Sequence, residues 1–157
     1  MAFDFNAKDV FEIAKQIERN GVKFYQSAAA GVTGEAEKKM LLELANMEAT
    51  HEKTFSDLEN ELTEQETAET TFDPDNETAL YVKALADTKV FFDKQIDTSS
   101  MKEILKAAIT AEKDSIVFYL GMRDLVPGKL GGKRIDDIIK EEMSHIRILS
   151  KELMAYK

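Results

Sequence analysis

The 157-residue chain contains no cysteine. That excludes disulfides, zinc–thiolate sites, iron–sulfur clusters and thiol nucleophiles, and it suits a reducing compartment. Proline occurs twice, at Pro74 and Pro127, and glycine seven times. No segment of useful length alternates apolar and polar residues as a strand would, so an all-α chain is expected. No apolar run reaches the length of a membrane span. The start, Met1-Ala2-Phe3-Asp4-Phe5, has neither the basic region nor the apolar core of a signal peptide. A soluble cytoplasmic protein is the expectation. Basic residues are outnumbered, 21 to 30, giving a net charge of −9. Such a surface argues against nucleic acid or an anionic membrane as partner. The length suits one domain over residues 1–157, large enough to bury a core without staples.

What is present is helix. The first helix is predicted over about Ala7–Ala30, with Phe11, Ala14, Glu18, Gly21, Tyr25 and Ala28 spaced by threes and fours along one seam. Gly31-Val32-Thr33-Gly34 ends it. A second runs from about Glu35 to Leu62 on Leu41, Leu44, Glu48, His51, Phe55, Leu58 and Leu62. Residues Thr63 to Glu77 are acidic and lack helical period, so they read as an exposed connection. Thr78 to Phe92 carries a short apolar pattern and reads as a short helix crossing the bundle. A turn follows near Asp97-Thr98-Ser99-Ser100, where Ser99 or Ser100 caps the next helix. The third long helix spans Met101 to Leu125 on Leu105, Ala108, Glu112, Ser115, Tyr119 and Met122. Val126-Pro127-Gly128 breaks it. The fourth begins between Gly128 and Lys133, with Ile135, Ile138, Glu142, His145 and Leu149 on its seam.

The halves repeat. A shift of 94 residues takes Glu18 to Glu112, Phe24-Tyr25 to Phe118-Tyr119, Glu48 to Glu142 and His51 to His145. Two helical hairpins of one design, joined by a long crossover, make a four-helix bundle.

The chain has two histidines, and each closes a Glu-x-x-His: Glu48-Ala49-Thr50-His51 and Glu142-Met143-Ser144-His145. Residues three apart on a helix share a face. One such pair in a Glu-rich chain says little. Here Glu18, Glu48, His51, Glu112, Glu142 and His145 all fall on seams. Burying ionised carboxylates is costly unless they are paired or metal-bound. No Arg or Lys falls on the seams near these six. Height agrees with face. The midpoint between Glu18 and Glu48 is position 33, inside the first break, and that between Glu112 and Glu142 is Pro127. In each antiparallel hairpin the two carboxylates stand level, about 22 Å from the turn at 1.5 Å per residue. Four Glu and two His then surround one point. One Glu from each of two helices and a Glu-x-x-His from each of the others is the ligand set of a pair of first-row metal ions. Glu48 and Glu142 would bridge, Glu18 and Glu112 would be terminal, and His51 and His145 would take one ion each. Iron or manganese suits these ligands, and zinc competes. Tyr25 and Tyr119 are either core aromatics or hydrogen-bond donors to a terminal carboxylate or metal-bound oxygen species. Gly21 and Ser115, equivalent by the repeat, either permit close packing or leave space for a small molecule.

At these residues the chain resembles the ferritin-like superfamily and, within it, the rubrerythrins. The matching stretches are Ala14-Lys15-Gln16-Ile17-Glu18 through Phe24-Tyr25, Glu48 to His51, Ala111-Glu112 through Phe118-Tyr119, and Glu142 to His145. The resemblance implies a non-haem di-iron protein that reduces hydrogen peroxide, or dioxygen, in defence against oxidative stress. It implies two iron ions on the six ligands and a supporting catalytic role for Tyr25 and Tyr119. A homodimer is expected. Rubrerythrins usually carry a further Glu one turn after the helix-three ligand, where this chain has Ser115. They usually end in a four-cysteine rubredoxin domain, whereas this chain has no cysteine, so an external, rubredoxin-like donor is implied. Two other readings stand beside this enzyme: a ferroxidase and iron store of the ferritin kind, and a metal-binding helical module without turnover.

Overall fold

The computed structural model describes residues 7–62, 80, 81, 84, 100–125 and 132–156. Four long helices account for nearly all of them: α1 (Ala7–Gly31), α2 (Glu35–Asn60), α3 (Met101–Leu125) and α4 (Gly132–Ala155). The predicted bounds agree to within two residues at the ends that can be compared. α2 stops at Asn60 rather than Leu62 because its last turn tightens, with Glu61 N–H bonded to Leu58 O and Leu62 N–H to Glu59 O. Ser100, of the two serines offered, caps α3: its Oγ accepts from Glu103 N–H at 3.3 Å. Leu80, Tyr81 and Ala84 are helical and exposed. The rest of the predicted short helix, the acidic connection from Thr63 and the Pro127 break lie outside the described residues.

The side chains sort into two apolar clusters. One gathers Val10, Phe11, Ala14 and Ile17 of α1 with Phe55 and Leu58 of α2, Phe118, Tyr119 and Met122 of α3, and Ile135, Ile138 and Ile139 of α4. The other gathers Phe24, Tyr25 and Ala28 of α1 with Leu41, Leu44 and Ala45 of α2, Ile104, Leu105 and Ala108 of α3, and Leu149 of α4. Every helix passes from one cluster to the other, and the order gives its direction. α1 and α4 run one way, α2 and α3 the other. Two antiparallel hairpins result. Leu62 and Ser100 sit at opposite ends of the bundle, so consecutive helices α2 and α3 are parallel, as an intervening long crossover requires. The fold is a ferritin-like four-helix bundle.

Between the two clusters each helix contributes its buried polar residues: Glu18 from α1, Glu48 and His51 from α2, Glu112 from α3, Glu142 and His145 from α4. The apolar layers above and below hold these groups at one height and keep water from them. Among the described residues no helix is long and apolar enough to cross a membrane.

Candidate metal centre

All six predicted ligands are buried, and they meet. They form two overlapping groups. Glu18, Glu48, His51 and Glu142 each place one ligand atom within 4.8 Å of the others, and so do Glu48, Glu112, Glu142 and His145. Glu48 and Glu142 belong to both groups. Glu18 and Glu112 each belong to one.

The imidazoles enter by the same nitrogen. His51 Nδ1 lies 2.9 Å from Glu142 Oε1 and 3.6 Å from Glu18 Oε2. His145 Nδ1 lies 3.1 Å from Glu48 Oε1, 3.3 Å from Glu112 Oε1 and 3.4 Å from Glu142 Oε2. The rings are nearly parallel, with centroids 5.8 Å apart. These atoms are close without being aligned for hydrogen bonds. Glu18 Oε2, Glu48 Oε1, Glu112 Oε2, both Glu142 oxygens and both Nδ1 atoms are buried and lack a hydrogen-bond partner. Buried polar atoms are rarely left so. Carboxylate oxygens and imidazole nitrogens converging on one centre, unsatisfied by each other, fit cations that would satisfy them all.

The tyrosines bond across the bundle. Tyr25 OH donates to Glu112 Oε1 at 2.6 Å, and Tyr119 OH donates to Glu18 Oε1. The sequence places each tyrosine two turns from the glutamate of its own helix, about 10.5 Å along the axis. That is beyond a phenol's reach, so each takes the glutamate of the antiparallel neighbour. The bonds hold Oε1 of each of these carboxylates; Glu18 presents its other oxygen to His51, whereas the held Oε1 of Glu112 is also the one nearest His145.

Proton affinities reflect the crowding. Burial, then the charges of Glu48 and Glu142, push Glu18 well above the ordinary carboxylate range against the bond from Tyr119. Burial, then Glu142 and Glu48, do the same to Glu112. Burial also pushes Glu142 up, but contacts with Glu112, His145 and His51 outweigh it and hold this carboxyl well below that range. Burial pushes the imidazoles down and the carboxylates more than reverse it. His51 is raised to about 9, chiefly by Glu142, and His145 to about 12, by Glu112, Glu142 and Glu48. Burial and the adjacent glutamates raise both phenols far above their usual value. Without cations, shared protons take the place of positive charge.

Two features escaped the sequence reading. Glu141 Oε2 lies 2.5 Å from His51 Nε2, the ring nitrogen away from the centre. Its position beside Glu142 was visible, but it falls off the seam and has no acidic counterpart in the repeat. Lys15, which lies off the predicted seam, is nevertheless buried one turn before Glu18. Its ammonium turns away to Glu12 at 2.9 Å and Glu59 at 3.0 Å, so it does not neutralise the cluster. Ser115 is buried and donates to Ala111 O at 2.9 Å, so the position one turn after Glu112 supplies no carboxylate.

A family model described as Rubrerythrin matches residues 9–153. The crystal structure of a Thermotoga maritima protein, provisionally described as a ferritin-like diiron-carboxylate protein, superposes with a TM-score of 0.72. It shares 26% sequence identity, and the match covers 97% of each chain. No protein in the curated collection matches. The cluster and the family together point to a di-metal site.

Proposed function

The chain belongs to the rubrerythrin family, and from that premise we propose that it is a non-haem di-iron oxidoreductase that reduces hydrogen peroxide. The observation that carries this reading is the pair of four-residue groups sharing Glu48 and Glu142. Shared carboxylates would hold two cations as neighbours, the arrangement that two-metal chemistry on both oxygens of one peroxide needs. Four carboxylates neutralise two divalent ions.

Glu18 and His51 would hold one ion, Glu112 and His145 the other, and Glu48 and Glu142 would span both. Ferrous ions bound there would supply the two electrons needed to cleave the O–O bond. With two protons, one peroxide becomes two waters. Tyr119 and Tyr25 keep Glu18 and Glu112 oriented, and their hydroxyls are the proton-bearing groups nearest the terminal carboxylates. The apolar clusters on either side exclude bulk water. A separate electron-transfer protein would restore the electrons, and the working unit is a homodimer of about 35 kDa, twice the 17.7 kDa chain.

The test is anaerobic loading with ferrous iron followed by stopped-flow mixing. Two irons per chain should be oxidised by peroxide at least about tenfold faster than by dioxygen, a gap of roughly 1.4 kcal/mol in barrier. Faster oxidation by dioxygen, with iron retained beyond two per chain, would replace this reading with a ferroxidase and store. One observation favours that second reading: with Ser115 in place of an acid, the six ligands form a symmetric set. Size separates the two as well, because a store requires a large hollow assembly.

A further inference from the structure

We propose that the two metal positions are inequivalent, and that Glu141 makes them so by positioning His51. The proposal rests on the di-metal reading and concerns a residue outside the six ligands. With Nδ1 directed at the centre, the outer nitrogen of each imidazole carries the proton and needs an acceptor. His51 has one: Glu141 Oε2, 2.5 Å from Nε2. Glu141 reaches it from the surface, with 51% of its side chain exposed, while His51 is buried. Among the described residues His145 has none: its Nε2 is buried without a hydrogen-bond partner.

The repeat explains the difference. The 94-residue shift that carries His51 to His145 and Glu48 to Glu142 carries Met47 to Glu141. The residue that would mirror Glu141 is a thioether, at most a weak acceptor. Met47 is itself partly exposed, at 36%. A carboxylate accepting the outer N–H fixes the ring and makes its inner nitrogen a stronger donor. An imidazole without that partner binds more weakly and turns more freely. The position built by Glu18 and His51 is therefore the tighter one and fills first. The position built by Glu112 and His145 fills second and exchanges its ion more readily.

The full-length chain, stripped of metal, is titrated anaerobically with Co(II) and followed by ligand-field absorption. The wild type should take up two ions in steps whose affinities differ about 10–100-fold, the range that such outer partners command. Glu141→Ala should weaken the first step and bring the two within about threefold. Glu141→Gln, which keeps an acceptor, should restore part of the gap. Met47→Glu should close the gap from the other side by strengthening the second step, an effect that a merely structural role for Glu141 does not predict. In the Co(II)-loaded protein the shifted, exchangeable imidazole N–H signal of His51 should exchange with solvent faster in Glu141→Ala, and that of His145 slower in Met47→Glu. Two ions bound with equal affinity in the wild type would overturn the proposal and leave the di-metal reading intact. So would a gap unchanged in both Glu141→Ala and Met47→Glu. Fewer than two ions per chain would overturn both.

Discussion

Tyr25 and Tyr119 each spend their hydroxyl on a carboxylate of the facing helix, and each bond serves one metal position. Tyr25 holds Glu112, which groups with His145. Tyr119 holds Glu18, which groups with His51. Removing a phenol strands a buried oxygen, which costs about 1–3 kcal/mol, and frees a ligand to turn. Tyr25→Phe should weaken metal binding about tenfold at the Glu112 and His145 position while sparing the other. Tyr119→Phe should do the reverse. Stepwise titration of both variants checks this, and equal losses at both positions would contradict the crossed pairing. Sequence made these tyrosines candidates and left their partners open. Helical spacing fixes which face a side chain occupies; the partner depends on how two helices are rotated against each other.

The hairpin of α1 and α2 carries a contact that periodicity did not anticipate. Lys15 lies against α2, between Glu12 and Glu59. The three groups do not shift alike. Glu12 is lowered, chiefly by Lys15, and Lys15 is raised, chiefly by Glu12, whereas burial raises Glu59 despite the same ammonium. The Lys15–Glu59 contact contributes more to stability, because both side chains are about nine-tenths buried while Glu12 is half exposed. Lys15→Met keeps the stem's packing and leaves two acids without their cation. It should lower the stability of the metal-free protein by about 2 kcal/mol, less than a fully buried pair would lose. Urea melts at neutral pH measure it. The metal affinity of this variant should stay within about threefold of the wild type, because the Lys15 ammonium pairs with Glu12 and Glu59, outside the six ligands.

For the whole molecule, a polar layer between two apolar ones makes stability depend on what neutralises that layer. In the metal-free chain it is protons. His51 and His145, raised from 6.5 to about 9 and about 12, contribute stability that is complete below 6.5 and lost as pH rises through those folded values. Glu18 and Glu112, held neutral by burial, act in the same direction from 4.5 upward. Glu142, depressed, loses its contribution as pH falls below 4.5. The metal-free protein should therefore melt highest near pH 4.5, lose stability as pH rises from there and lose it more steeply above 6.5, and melt lower on the acid side as Glu142 is protonated. Metal ions must displace the same protons, so they bind more tightly as pH rises. The stabilisation on metal loading, read as a rise in melting temperature, should grow steadily from about pH 5.5 to 8, and amounts to about 3 kcal/mol per ion once the metal is in hundredfold excess over Kd. Thermal scans with chelator and with ferrous iron test both slopes. A gain that shrinks with rising pH would contradict the proton-sharing arrangement.

The sequence by itself determined the helices, their seams, the level of the four carboxylates and the two-fold repeat. Each of these follows from 3.6 residues per turn, a fixed rise and the position of two chain breaks. It also determined that acids and imidazoles share the buried face, because the same seam carries Leu41 and Glu48, or Leu105 and Glu112. Only the tertiary structure decided which tyrosine meets which glutamate, where the Lys15 ammonium turns, and that Glu141 reaches His51 while His145 has no such partner. Those contacts join residues of different helices through side chains that point across or around the bundle. Their distances depend on the rotation of one helix against the next, a quantity that no period within a single helix contains.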